Sequence, residues 1–256
     1  MLQFQRPETL YRGQSNAAWD LKTNLERSCL RHDGSLDNAD DREKRLRLLF
    51  VRHYHEHSQK QILHDDYLRW LALMQHHGAP TRLLDWSYSI LVATYFAIEH
   101  ATDDAAVWSI DNAWLRSSAS AAFNAHGISE SSMNVVRGRA TQEEARERFN
   151  ELFLQNKFTL VRAMSPFYRD TRLTAQQGTF ICPGNVKISF MDNLNGMAPG
   201  TDGVTKYIIP RALHRDWLCQ LYFANVTNSS LFPGLDGFSR MLNTFHPTAW
   251  DKCVKK

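Results

Sequence analysis

Leu46, Leu49, Phe50, His53 and His57 recur at helical spacing inside a basic stretch that begins near Asp40, and Asp40 or Asp41 can cap its first turn. Tyr67, Leu68, Leu71 and Met74 repeat the pattern. Gly78 and Pro80 end it, because they favour left-handed and extended backbone. His76 and His77 therefore fall at a helix C-terminus. A third helix is predicted over Ile90 to His100, where Leu91, Thr94, Tyr95 and Ile98 share one face and Ser87 or Ser89 caps the start. That leaves Arg82 to Trp86 as an interhelix loop.

From Ala105 to Asp111 the chain is short, apolar and rich in Trp, Val and Ile, as expected of a strand buried on both faces, and sheet structure is predicted to begin there. Asn112 to Ala140 is rich in Ser, Ala and Asn with little periodicity and reads as a mobile insertion, a candidate lid. Glu143 to Gln155 resumes a charged helix. Phe158 to Met164, Gly178 to Cys182, Val186 to Phe190 and Lys206 to Ile209 read as further strands, with Pro183-Gly184 as a turn and Pro210 as a boundary. Ala212 to Phe223 and Ser239 to Phe245 are the last helices, joined by an ordered loop over Asn225 to Gly237. The expected fold class is α+β, a helical N-terminal half packed on a small mixed or antiparallel sheet. No internal repeat interrupts residues 1–256, so one domain is expected.

The length of 256 residues with 43% hydrophobic residues supplies a packed core. A net charge of +3 is too weak to imply nucleic acid, which requires positive charge concentrated on one surface. Cys29, Cys182, Cys219 and Cys253 are far apart, so neither a tight zinc site nor a disulfide scaffold is indicated and free thiols are expected. Apolar runs break well before about 18 residues, and no basic-plus-apolar leader opens the chain. The expectation is a cytoplasmic, bacterial-type protein without membrane spans.

Two polar clusters stand out. Leu10-Tyr11-Arg12-Gly13-Gln14-Ser15, with Trp19 and Leu25-Glu26-Arg27 behind it, precedes Gln75-His76-His77-Gly78-Ala79-Pro80-Thr81-Arg82-Leu83-Leu84-Asp85-Trp86. With Gln176-Gln177-Gly178-Thr179-Phe180, these segments resemble the FRG domain family over roughly Leu10 to Ser239. The central motif is the specific one, since its ordered positions of mixed chemistry rarely coincide by accident. Tyr11 stands where the family name has Phe, a swap that adds a hydroxyl to an aromatic anchor. The family label is descriptive and implies no settled reaction.

Several chemistries are disfavoured by what the chain lacks. No Gly-x-Ser-x-Gly elbow or local Cys signature supports a nucleophile, and neither phosphate-binding glycine motif occurs. His53 and His57 share a helix face, but no Glu-x-x-His follows, so no metal is expected. A nuclease would need clustered carboxylates, and Asp65-Asp66 and Asp103-Asp104 read as solvated ends.

Arginine is then left to grip an anion. Arg12, Arg82 and Arg172 each lie beside a turn or strand end, and a planar guanidinium binds phosphate or carboxylate at two points. Arg82 has an alternative role, an ion pair with Asp85 three residues on that braces the loop while Trp86 fills the core. His77 could equally bind a ligand or interact with the helix end. Gln176 and Gln177 could bind ribose hydroxyls or satisfy neighbouring backbone.

The order of these elements is similar to that in ADP-ribosyltransferases, which place an Arg or His on an early strand, aromatic and Ser/Thr groups mid-chain, and a Gln-x-Glu-like element on a later strand. That resemblance implies Arg12 at an anion, His77 and Tyr95 at nicotinamide or ribose, and Gln177 near the acidic position. Gln177 supplies a dipole there without the charge. The expected activity is nucleotide binding, with NAD as the candidate cofactor and ADP-ribosyl transfer or NAD cleavage as the candidate reaction. Gln177 and His77 are the candidate catalytic residues; Arg12, Gln14, Arg82, Asp85, Tyr95 and Gln176 are the candidate ligand contacts. The alternative is a non-catalytic recognition or sensor module, defence-associated, that binds protein or nucleic acid.

Overall fold

The structure, a computed structural model, describes residues 9–57, 62–128, 141–166, 170–197 and 203–244. Its centre is a six-stranded antiparallel sheet in the order β4-β5-β2-β1-β3-β6. The strands are β1 (Thr9–Gln14), β2 (Leu84–Ser87), β3 (Ala105–Asp111), β4 (Val161–Met164), β5 (Gly178–Pro183) and β6 (Val204–Ile209). Before β3 come α1 (Asn24–His32), α2 (Ala39–His57), α3 (Tyr67–His76) and α4 (Ile90–Ile98). After it come α5 (Asn112–Asn124), α6 (Gln142–Phe153), α7 (Thr171–Ala175), α8 (Phe190–Asn195), α9 (Arg211–Phe223), α10 (Asn228–Leu231) and α11 (Leu235–Thr244). The architecture is α+β, with an antiparallel sheet at its centre.

The sheet begins earlier than the apolar pattern implies. β1 and β2 both precede Ala105, and the stretch expected as an interhelix loop supplies a central strand. In β2, Leu84, Trp86 and Ser87 are buried and Asp85 is exposed. Four residues are too few for alternation to be read against the flanking helical patterns.

Other expectations are corrected as well. Asn112 to Asn124, read as a stretch without periodicity, is a helix: Asp111 caps it by accepting from Trp114 N, and Leu115, Ala119 and Phe123 bury one face at four-residue intervals. Ala and Ser between those anchors hide the period. Residues 129–140, the rest of that stretch, lie outside the described residues. Val186 to Phe190 is not a strand, because Ser189 accepts from Asp192 N and starts α8. The loop after α9 also holds the short α10. Cys29 and Cys182 are free and buried, whereas Cys219, expected as a free thiol, is disulfide-bonded.

Side-chain alternation along β1 assigns its two faces. Tyr11 and Gly13 turn to α4, whose Val92, Ala93, Tyr95, Ala97 and Ile98 form a cluster with Val107, Ile209, Leu221 and Leu231. Leu10, Arg12 and Gln14 turn the other way, where Leu10 joins Trp86, Trp108 and Ile110 in the larger core. α4 approaches so closely that a Cβ on Gly13 would fall against the Ala93 carbonyl oxygen and the Ala97 amide nitrogen. Backbone on both sides cannot yield as a side chain can. Gly13→Ala is expected to lower stability by about 1–3 kcal/mol, the usual range for an overpacked core. Urea denaturation checks this, and a wild-type midpoint would mean that α4 can move away.

Candidate functional site

The sheet parts between β1 and β2. β1 pairs with β3 along its whole length, from Thr9 opposite Asp111 to Gln14 opposite Ala106, but meets β2 at one rung, Tyr11 opposite Ser87. Ser87 is in turn opposite Gly178 of β5, so the rung Tyr11–Ser87–Gly178 crosses three strands. Beyond the rung, Arg12 replaces the missing ladder contact: Nη1 donates to the Asp85 carbonyl oxygen at 2.6 Å. Arg12 is half-buried and its Nε, wholly enclosed, has no partner. Desolvation draws its pKa down to about 10 against the pull of Asp85, with Arg27 adding to the lowering. The guanidinium stays cationic at neutral pH.

The Asp85 side chain is open to solvent at this seam. Its Oδ2 accepts from Gln75 Nε2 at 2.7 Å, and Thr81 Oγ1 donates to Gln75 Oε1 at 2.6 Å. Gln75 lies in the last turn of α3, which explains how a helix end comes to face a strand. His77 caps the same end through its backbone N–H to Leu73 O. Its exposed ring lies 6.2 Å from Phe50 and 4.9 Å from His76. Partial burial, then His76 and Arg172, lower its pKa. His76 Nδ1 sits 3.1 Å from Asp170 Oδ2, and Arg172 Nη1 donates to His76 O at 3.1 Å.

Across the rung, Ser87 Oγ donates to Gln176 O at 2.8 Å and Tyr88 N to Gln177 O at 3.0 Å. Gln177 adopts a left-handed backbone with φ of 47° and projects an exposed side chain. It makes the turn from α7 into β5, where Gly178 packs so tightly on Leu173 that a Cβ would clash. Gln176 is committed, since its Nε2 donates to Leu231 O at 3.1 Å.

Other candidates are placed away from the seam. Arg82 is 1% exposed: its Nε and Nη2 meet Glu43 Oε2 at 2.7 and 2.6 Å, and its Nη1 donates to Phe153 O at 2.5 Å. Its backbone N–H donates to Glu43 Oε1 at 3.0 Å. The expected brace between Arg82 and Asp85 is therefore not formed. The cleft beside this pair, lined in part by Asp40, Arg47 and Tyr67, holds about 30 Å³, room for one or two waters rather than a nucleotide. Both ends of the buried Gln14 amide are used, Oε1 by Trp108 Nε1 at 2.7 Å and Nε2 by Asp20 O at 3.1 Å. Tyr95 lies in the α4 cluster on the face opposite Arg12; its hydroxyl donates to Glu99 Oε1 at 2.8 Å, and burial raises its pKa. Glu26, in the second polar cluster, is a buried acceptor for Phe190 N.

Residues 7–106 match the family model described as FRG domain. Over that stretch the chain is similar to the FRG domain. No curated protein and no solved structure matches the chain. The matched stretch contains both polar clusters, so Arg12, Gln75, Thr81, Arg82 and Asp85 all lie inside it; Gln176 and Gln177 lie outside. Among the described residues, no group of three or more His, Cys, Asp or Glu side chains is arranged to hold a metal ion. No helix among them is long and apolar enough to cross a membrane.

Sequence spacing could not reveal Glu43 as the partner of Arg82, because the two are remote in the chain and Asp85 is the obvious local acid. Arg82→Ala or Glu43→Ala is expected to cost about 3–5 kcal/mol, since either leaves a buried charge unanswered. Chemical denaturation of each variant measures it; a loss below about 1 kcal/mol would be that of an exposed pair.

Proposed function

We propose that the seam between β1 and β2 binds a nucleotide-like ligand, with NAD as the candidate and ADP-ribosyl transfer or NAD cleavage as the reaction class. The observation that carries this reading is the rung Tyr11–Ser87–Gly178. It sets Arg12, Asp85 and Gln177 on or beside three adjacent strands, with Arg12, Ser87 and Gln177 in the early, middle and late order of an ADP-ribosyltransferase-like arrangement.

The chemistry of the three groups is complementary. Arg12 offers a half-buried cation, suited to a phosphate oxygen. Asp85 offers an exposed carboxylate that accepts from sugar hydroxyls, and Gln177 an exposed amide. In the proposed reaction the bond from the anomeric carbon to the nicotinamide nitrogen breaks. Nicotinamide leaves with the electron pair, the positive charge that grows on the sugar is answered by a nearby carboxylate, and water (for cleavage) or an acceptor nucleophile (for transfer) bonds to the anomeric carbon and releases its proton to solvent. Gln177 cannot supply that charge; Asp85 can. His76 and His77 stand at the α3 end that reaches Asp85 through Gln75. The second reading, a recognition or sensor module that binds protein or nucleic acid without turnover, is favoured by the internal commitments of Gln14, Arg82 and Tyr95.

Titrating the protein with NAD while following its melting temperature and nicotinamide release separates the two. A ligand at about a hundred times its Kd stabilises by about 2.7 kcal/mol, a readable shift. Stabilisation with release, both lost in Arg12→Ala and with release lost in Gln177→Ala, is the expected result. Stabilisation without release indicates a nucleotide sensor. Neither response leaves the recognition module.

A further inference from the structure

The Asp85 carboxylate is exposed, yet one of its oxygens is held by a relay that starts in the core. Thr81 is 0% exposed, and its hydroxyl accepts from Leu83 N at 3.2 Å, which leaves its proton to be donated to Gln75 Oε1 at 2.6 Å. An amide can be turned either way about its last torsion, but a donor at its oxygen fixes which end is which. The Gln75 NH2 group must then face Asp85, where it donates to Oδ2 at 2.7 Å. A buried hydroxyl orders an amide, and the amide orders a carboxylate. Asp85 Oδ1 accepts no hydrogen bond among the described residues.

Stability alone gives little reason for such support, because an exposed carboxylate is well solvated by water in any rotamer. A carboxylate fixed in direction, with one oxygen left open on the residue whose carbonyl Arg12 holds, is instead prepared for a donor from outside. We propose that Gln75 and Thr81 are positioning residues that aim Asp85 Oδ1 at a sugar hydroxyl, so that the seam recognises the diol of a ribose and not a phosphate alone. The ligand half of this inference rests on reading the seam as the nucleotide site; the positioning half does not.

Calorimetry with NAD, and with inorganic pyrophosphate as a probe that has no diol, tests the first half. Thr81→Val removes the hydroxyl at constant shape, Thr81→Ser keeps it, and Gln75→Met removes the amide. Thr81→Val and Gln75→Met are expected to weaken NAD about tenfold, the scale of one hydrogen bond to a charged group, and to leave pyrophosphate unchanged. Thr81→Ser should bind as the wild type does, and Gln75→Met should cause no further loss in an Asp85→Asn background. Equal losses for both probes, or a full loss in the Asp85→Asn background, overturn the assignment. A wild-type protein that does not bind NAD overturns it together with the proposed function.

Crystal structures of the ligand-free wild type and Thr81→Val test the second half independently. Asp85 is expected in one rotamer in the first and in several in the second; the same single rotamer in both would show that the relay positions nothing.

Discussion

Arg82 is a guanidinium almost without water around it, and each of its partners belongs to a different part of the chain. Glu43 from α2 takes two of its donors and its backbone N–H, and the Phe153 carbonyl at the end of α6 takes another. Leaving such a charge unanswered in the interior would cost several kcal/mol, so these elements are bound into one arrangement. Arg82 sits at the entry to β2 and so anchors that strand and the residues around it. Leu84 and Trp86 go into the core, Asp85 faces outward, and Thr81 stays buried within reach of Gln75.

Arg12 and Arg82 thus have opposite surroundings. Both are planar cations beside short strands, and their sequence contexts are equally polar. Arg82 is answered by a carboxylate at hydrogen-bonding distance. Arg12 is answered at Nη1 by a neutral carbonyl and feels Asp85 as a neighbouring charge; its Nε remains without a partner. Complete pairing marks a structural group, and incomplete pairing beside an opening marks a group with capacity left over. On that criterion Arg12, Asp85 and Gln177 are the candidates left at the seam, while Gln14, Arg82, Gln176 and Tyr95 are occupied with the fold.

Much of the helical skeleton was legible from periodicity. α3 and α4 follow four-residue apolar repeats with caps at Asp66 and Ser89, and Gly78 ends α3 with φ of 80°. What periodicity could not show was β2, whose four residues include Asp85 and Ser87 of the candidate site. Nor could it show α5, where alanine and serine separate the anchors. The site was legible as a motif but not as a geometry. That Asp85 belongs with Arg12 rather than with Arg82 depends on strand pairing between residues remote in the chain, and that Tyr95 lies on the opposite face depends on Gly13 admitting α4.

A sheet that parts in its middle has inner edges as well as outer ones. β1 and β2 are joined at one rung, and strand backbone without a ladder partner is what another strand pairs with. Charged side chains at an edge oppose such pairing, and here the gap is flanked by a guanidinium already bonded to the opposite carbonyl and by a carboxylate. Arg12 and Asp85 therefore set charge where the ladder is interrupted, and charge there disfavours the pairing of a further strand.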